Sequence, residues 1–128
     1  MIQLEQANLL AALRALATLG YRPHYPVAAE QFSDANLRES WIKERHKLVF
    51  PLWCEQQVET PVDVLVREPF DFDAEWPKAV RAEVSEGIFA PFVALATLVA
   101  LKQAAGRPQD LADLSQLKLI AGEDFPGG

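Results

Sequence analysis

The stretch Ala104-Ala105-Gly106-Arg107-Pro108 places the end of one helix and the start of the next within three residues. A glycine after a periodic apolar run tolerates the positive φ that closes a helix. A proline pre-sets φ for a first helical position and gives up a donor that would be unpaired there anyway. Ahead of the junction, Leu95, Leu98, Val99 and Leu101 make residues 94–105 an apolar helix, with Lys102 near its end. Behind it, Asp110 stands in the first turn, where the helix dipole favours a carboxylate, and Leu111 to Ile120 continue the helix. Residues 94–120 are thereby committed to two successive helices.

The other elements follow from periodicity. Residues 3–19 read as a helix with Leu4, Ala7, Leu10 (or Ala11), Leu13 and Leu16 (or Ala17) on the inner side. Gly20 ends it, and Tyr21-Arg22-Pro23 is extended because the residue before proline is pushed out of the α region. Val27 to Glu44 is helical in two pieces; Ser33-Asp34 caps the second, which carries Leu37, Trp41 and Ile42 on one side. Lys47 to Cys54 and Val62 to Val66 are rich in β-branched and aromatic residues and read as an antiparallel pair, with Pro51 implying an edge position or a bulge. Residues 67–79 read as a loop with a short helical turn, and 80–93 as a hairpin around Glu86-Gly87. The expected fold is α+β: one domain over 1–122, a small mixed or antiparallel sheet flanked by helices, and a frayed tail over 123–128.

Charge and cysteine content narrow the function classes. Of 128 residues, 12 are Lys or Arg and 18 are Asp or Glu, a net charge of −6. That field opposes nonspecific binding to nucleic acid. The single Cys54 excludes an intrachain disulfide and a cysteine-rich zinc framework. No apolar run has the length of a membrane span, and residues 1–20 lack a basic start and cleavage site, so a cytoplasmic protein without a membrane partner is expected.

Asp63 is the most informative chemical residue. It interrupts a strand whose other members are Val62, Val64, Leu65 and Val66, and alternation puts Asp63 and Leu65 on one face and the valines on the other. A carboxylate in such a strand either faces a cleft, beside a cation or a metal, or sits at an exposed edge paired with a base. Lys102 also carries two readings: a cation reaching a phosphate near Asp63, or a complement to the helix C-terminal dipole. Asp110 and Asp113 read first as helix N-terminal carboxylates and second as partners of Arg107. Asp71 and Asp73 lie in a loop entering a helical turn, where capping explains them better than metal binding. His24 and His46 have no ligand partners at metal spacing, and Cys54 reads as a small core residue. Arg38, Lys43, Arg45 and Lys47, interrupted by Glu39 and Glu44, read as a solvated helix face.

Taken in order, these segments resemble a known family. They are the Ala/Leu helix ending Leu19-Gly20-Tyr21-Arg22-Pro23, Lys47-Leu48-Val49-Phe50, Val62 to Val66 with Pro69-Phe70-Asp71-Phe72, and above all Lys102 through Gly106-Arg107-Pro108-Gln109-Asp110-Leu111-Ala112-Asp113. Over about residues 3–118 the chain resembles the minimal nucleotidyltransferase-fold proteins, including the bacterial toxin-type members of abortive-infection systems. The resemblance implies that Asp63 is the third metal-binding catalytic carboxylate, that Lys102 is the catalytic basic residue near the phosphates, and that Lys102 and Arg107 bind a nucleoside triphosphate with Mg²⁺. The family's Gly-Ser turn and paired Asp-x-Asp carboxylates would precede residue 1, so the chain is expected to be N-terminally incomplete. One aspartate leaves at most a weak, hydrated Mg²⁺ site, because two-metal chemistry needs carboxylates on both sides of the ions. A degenerate nucleotidyltransferase-like protein without transfer activity of its own is the first expectation. A homodimeric interaction or antitoxin-like module is the second, since an opened sheet edge must be covered.

Overall fold

The structure is a computed structural model that describes residues 1–45 and 49–127. It has an α+β architecture in two compact units, Met1–Glu68 and Pro69–Gly128, each with its own antiparallel sheet. His46, Lys47 and Leu48, the last two read as the start of a strand, lie outside the described residues.

The first unit begins with α1 (Gln6–Thr18). Glu5 caps it by accepting from the Ala7 and Asn8 N–H groups at 3.1 and 2.9 Å, and these bonds hold its carboxyl below the usual carboxylate range. Leu9 and Leu13 form the buried side, with Leu16 packed beside them. Ala7, expected on that side, is exposed, and Leu9 does what the spacing gave to Leu10. At the end of the helix Gly20 takes φ +92°, and a Cβ there would stand 3.2 Å from both Cys54 Sγ and Gln56 Oε1.

β1 (Arg22–Pro23), β2 (Val49–Trp53) and β3 (Val62–Leu65) form an antiparallel sheet in that order. Val64 and Val66 are buried and Val62 packs against the core, while Asp63 lies on the exposed side, as a two-residue alternation requires. Pro51 departs from expectation: it lies in the central strand, opposite Asp63, in an unbroken register. Its carbonyl accepts from the His24 N–H at 3.0 Å. Because a strand residue aims its N and its carbonyl to the same side, the missing donor faces the β1 side, where β1 stops after two residues.

Two short helices, α2 (Ala29–Ser33) and α3 (Ala35–Arg45), complete the unit. Asp34 caps α3, its Oδ1 accepting from Asn36 and Leu37 N–H at 2.8 and 3.1 Å. Phe32 and Phe50 stack with ring centroids 4.1 Å apart and planes 8° apart, and Trp41 stacks against both. Leu37 is exposed instead of sharing the side of Trp41 and Ile42; Arg38 is the buried residue of that helix.

The second unit runs through α4 (Phe72–Glu75), the hairpin strands β4 (Val80–Ser85) and β5 (Ile88–Phe92), then α5 (Leu95–Ala105) and α6 (Pro108–Ala121). Asp71 caps α4 through its Oδ1. The hairpin register steps at Val84, an extra residue between the pairs Glu83–Phe89 and Ser85–Ile88. Gly106, at φ +61°, closes α5, and Pro108 opens α6. Among the described residues of this unit only Val99 and Asp110 are buried. A 3-10 turn over Gly122–Asp124 runs into the tail read as frayed.

Candidate functional site

The densest cluster of charged chemistry is at the α5–α6 junction. Lys102, in the last turn of α5, places Nζ 2.5 Å from Asp113 Oδ2 and 3.6 Å from Asp110 Oδ1. Arg107 meets Asp110 from the other side, with Nε 2.6 Å from Oδ2 and Nη2 3.2 Å from Oδ1. Asp110 Oδ2 also accepts the Arg107 backbone N–H at 3.3 Å, which caps the start of α6. Gln109 adds a 2.8 Å bond to Asp113 Oδ1. Two cations and two carboxylates thus close on one another.

The electrostatics agree with that closure. The bond to Asp113 raises the Lys102 ammonium above its ordinary pKa, with the nearby Asp110 adding to the effect. Asp113 is lowered first by Lys102 and then by Gln109, and Asp110 is lowered first by the Arg107 guanidinium. Arg107 is raised by the same contact with Asp110. The Asp110 side chain is only 4% exposed, while that of Arg107 is 74% exposed. The carboxylate is therefore the interior anchor and the guanidinium its cover.

Asp63 belongs to the first unit, whereas Lys102, Arg107, Asp110 and Asp113 belong to the second. Its side chain is exposed on β3, opposite Pro51, and makes no ion pair among the described residues. No group of three or more His, Cys, Asp or Glu side chains able to hold a metal occurs among the described residues. The Mg²⁺ pair implied by the family resemblance needs several carboxylates converging on one point, and Asp63 alone does not fit it.

Arg38 corrects the reading of a solvated basic face. It is 5% exposed, its Nη1 donates to the Phe32 carbonyl at 2.7 Å, and its Nη2 donates to the Leu4 carbonyl at 3.3 Å. The guanidinium also lies 5.8 Å from the Phe32 ring centroid. Loss of water lowers its pKa, against the pull of Asp34, Glu39 and Glu68. A groove of about 330 Å³ beside it is lined by Arg38 and Arg67 together with Glu39 and Glu68. Two bases and two acids leave that groove without net charge. Sequence spacing missed Arg38 because a charged residue at that position reads as solvated and its Leu4 partner lies 34 residues away.

The weaker candidates fall into structural roles. Cys54 is buried, with Sγ 3.5 Å from the Leu19 carbonyl and 3.3 Å from Gln56 Oε1. Glu75 binds Lys78 at 2.8 Å and accepts from Thr97 Oγ1 at 2.6 Å, joining α4 to α5. No helix among the described residues is long and apolar enough to cross a membrane. Compared with family models, curated proteins and solved structures, the chain matches none.

Proposed function

We propose that the protein is a homodimeric interaction module that uses its α+β scaffold for assembly. The β4–β5 hairpin carries this reading. Val80 pairs with Phe92 and Ala82 with Ala90, and Ile88 shares their side by alternation. Val80, Ile88 and Phe92 are 55%, 59% and 48% exposed, and Val84 at the bulge is 54% exposed. A two-stranded hairpin is marginal by itself, and an apolar face on a hairpin with an open edge calls for further strands or a cover. The charged residues that could have done chemistry support the same reading, because Lys102 and Arg107 already spend their charge on Asp113 and Asp110. Sedimentation equilibrium at tens of micromolar tests it: the expected mass is twice 14.2 kDa, and a clean monomer overturns the reading.

A second reading keeps the nucleotidyltransferase-like scaffold, degenerate and inactive alone, with weak nucleotide binding. Asp63 is exposed and makes no ion pair among the described residues, which leaves its carboxylate available to one weakly held, hydrated Mg²⁺. Thermal melts with ATP or GTP and Mg²⁺ test it, since a ligand at 100 times its Kd stabilises by about 2.7 kcal/mol. No shift with either nucleotide at millimolar concentration rejects it.

A further inference from the structure

We infer that two copies of the chain pair antiparallel along the open edge of β4, about a two-fold axis at Ala82. This rests on the homodimer reading above and names the surface that makes the dimer. Among the described residues β4 pairs only with β5, so its other edge keeps unpaired backbone donors and acceptors. The opposite edge of the hairpin is less suited to pairing, because Pro91 removes a donor from β5.

The occupant is specified by the sequence of the strand. Val80-Arg81-Ala82-Glu83-Val84 mirrors itself about Ala82, with apolar residues matched and charges reversed. An antiparallel copy in that register sets Arg81 against the second copy's Glu83, Glu83 against its Arg81, and Val80 against its Val84. Directly opposed side chains of opposite charge favour strand pairing, and like charges oppose it. The two-fold makes each contact occur twice, as an isologous interface requires. Within the chain Arg81 forms no ion pair among the described residues, and Glu83 uses one oxygen, Oε1, to accept the Gly87 N–H at 2.8 Å. The bulge at Val84 lies at the margin of this register and leaves Arg81, Ala82 and Glu83 regular. Pairing would merge two hairpins into one four-stranded sheet and lengthen its apolar side.

The test is sedimentation velocity on the full chain with R81E, E83R, R81Q and the double variant R81E/E83R. Each charge reversal sets like charges opposite one another twice per dimer and should raise the dimer dissociation constant roughly tenfold or more. R81Q removes attraction without adding repulsion and leaves the Gly87 turn bond in place, so it should weaken the dimer less than R81E. The double variant, and an equimolar mixture of R81E with E83R, should recover dimer because opposite charges face each other again. Recovery in the mixture also shows that both single variants fold. A dimeric wild type whose charge reversals dimerise as well as it does, or whose mixture shows no recovery, overturns the edge pairing and leaves the homodimer reading standing. A monomeric wild type overturns both.

Discussion

Lys102 Nζ lies 2.5 Å from Asp113 Oδ2, tying the last turn of α5 to the second turn of α6 across the Gly106 junction. The acid side of this pair is held below its ordinary pKa and the basic side above it.

Stability should therefore depend on pH at both extremes. A depressed carboxylate contributes fully above its unfolded value of about 4 and loses that contribution as pH falls through the lower folded value. A raised ammonium contributes fully below its unfolded value of about 10.4 and loses it as pH rises through the higher folded value. Tm should be flat between these limits and fall outside them. Asp113→Asn should flatten the acid limb and Lys102→Met the alkaline limb, followed by circular dichroism melts from pH 2 to 11.

Asp110→Ala should lower Tm more than Arg107→Ala. Removing the carboxylate deletes the cap on the Arg107 N–H and one of two partners of Lys102. Removing the guanidinium deletes only an exposed cover, since Lys102 still faces Asp110. Equal losses, or the reverse order, would contradict the assignment of Asp110 as anchor.

Arg38→Ala should destabilise the protein by about 2–4 kcal/mol in urea titrations. It strips a charged donor from the carbonyls of Phe32 and Leu4. Hydrogen exchange should rise in residues 1–5 and at the end of α2 beyond the global effect. A loss confined to α3 would refute the cross-link.

Gly20→Ala should cost about 1–2 kcal/mol, because φ +92° disfavours a Cβ and the new carbon would press on Cys54 Sγ and Gln56 Oε1. Gly87→Ala shares the backbone strain at φ +71° but meets nothing within 4 Å. Its melting temperature should fall less than that of Gly20→Ala.

What the sequence revealed was local. Gly106, Asp34 and Asp71 mark helix ends by bonding within a few residues of themselves and Pro108 by its fixed φ, and their roles are legible without a fold. Alternation likewise separates Asp63 from the valines of β3. The misses are matters of long range. Leu9 is inside and Ala7 outside because the face of α1 is chosen by what packs on it. Arg38 is buried because Leu4, 34 residues away, brings it a carbonyl. Pro51 survives in a central strand only because β1 ends opposite it. For Lys102, the dipole reading and the phosphate reading both left out Asp113, 11 residues on and one helix later.

The α5–α6 junction also bears on the order in which the chain acquires structure. Its ion pairs and caps join residues at most 11 positions apart, whereas Arg22 must find Trp53 before β1 and β2 can pair. Closing a short loop sacrifices less chain entropy, and folding quickens as contacts become more local. The helical junction can thus organise without waiting for the sheet of the first unit.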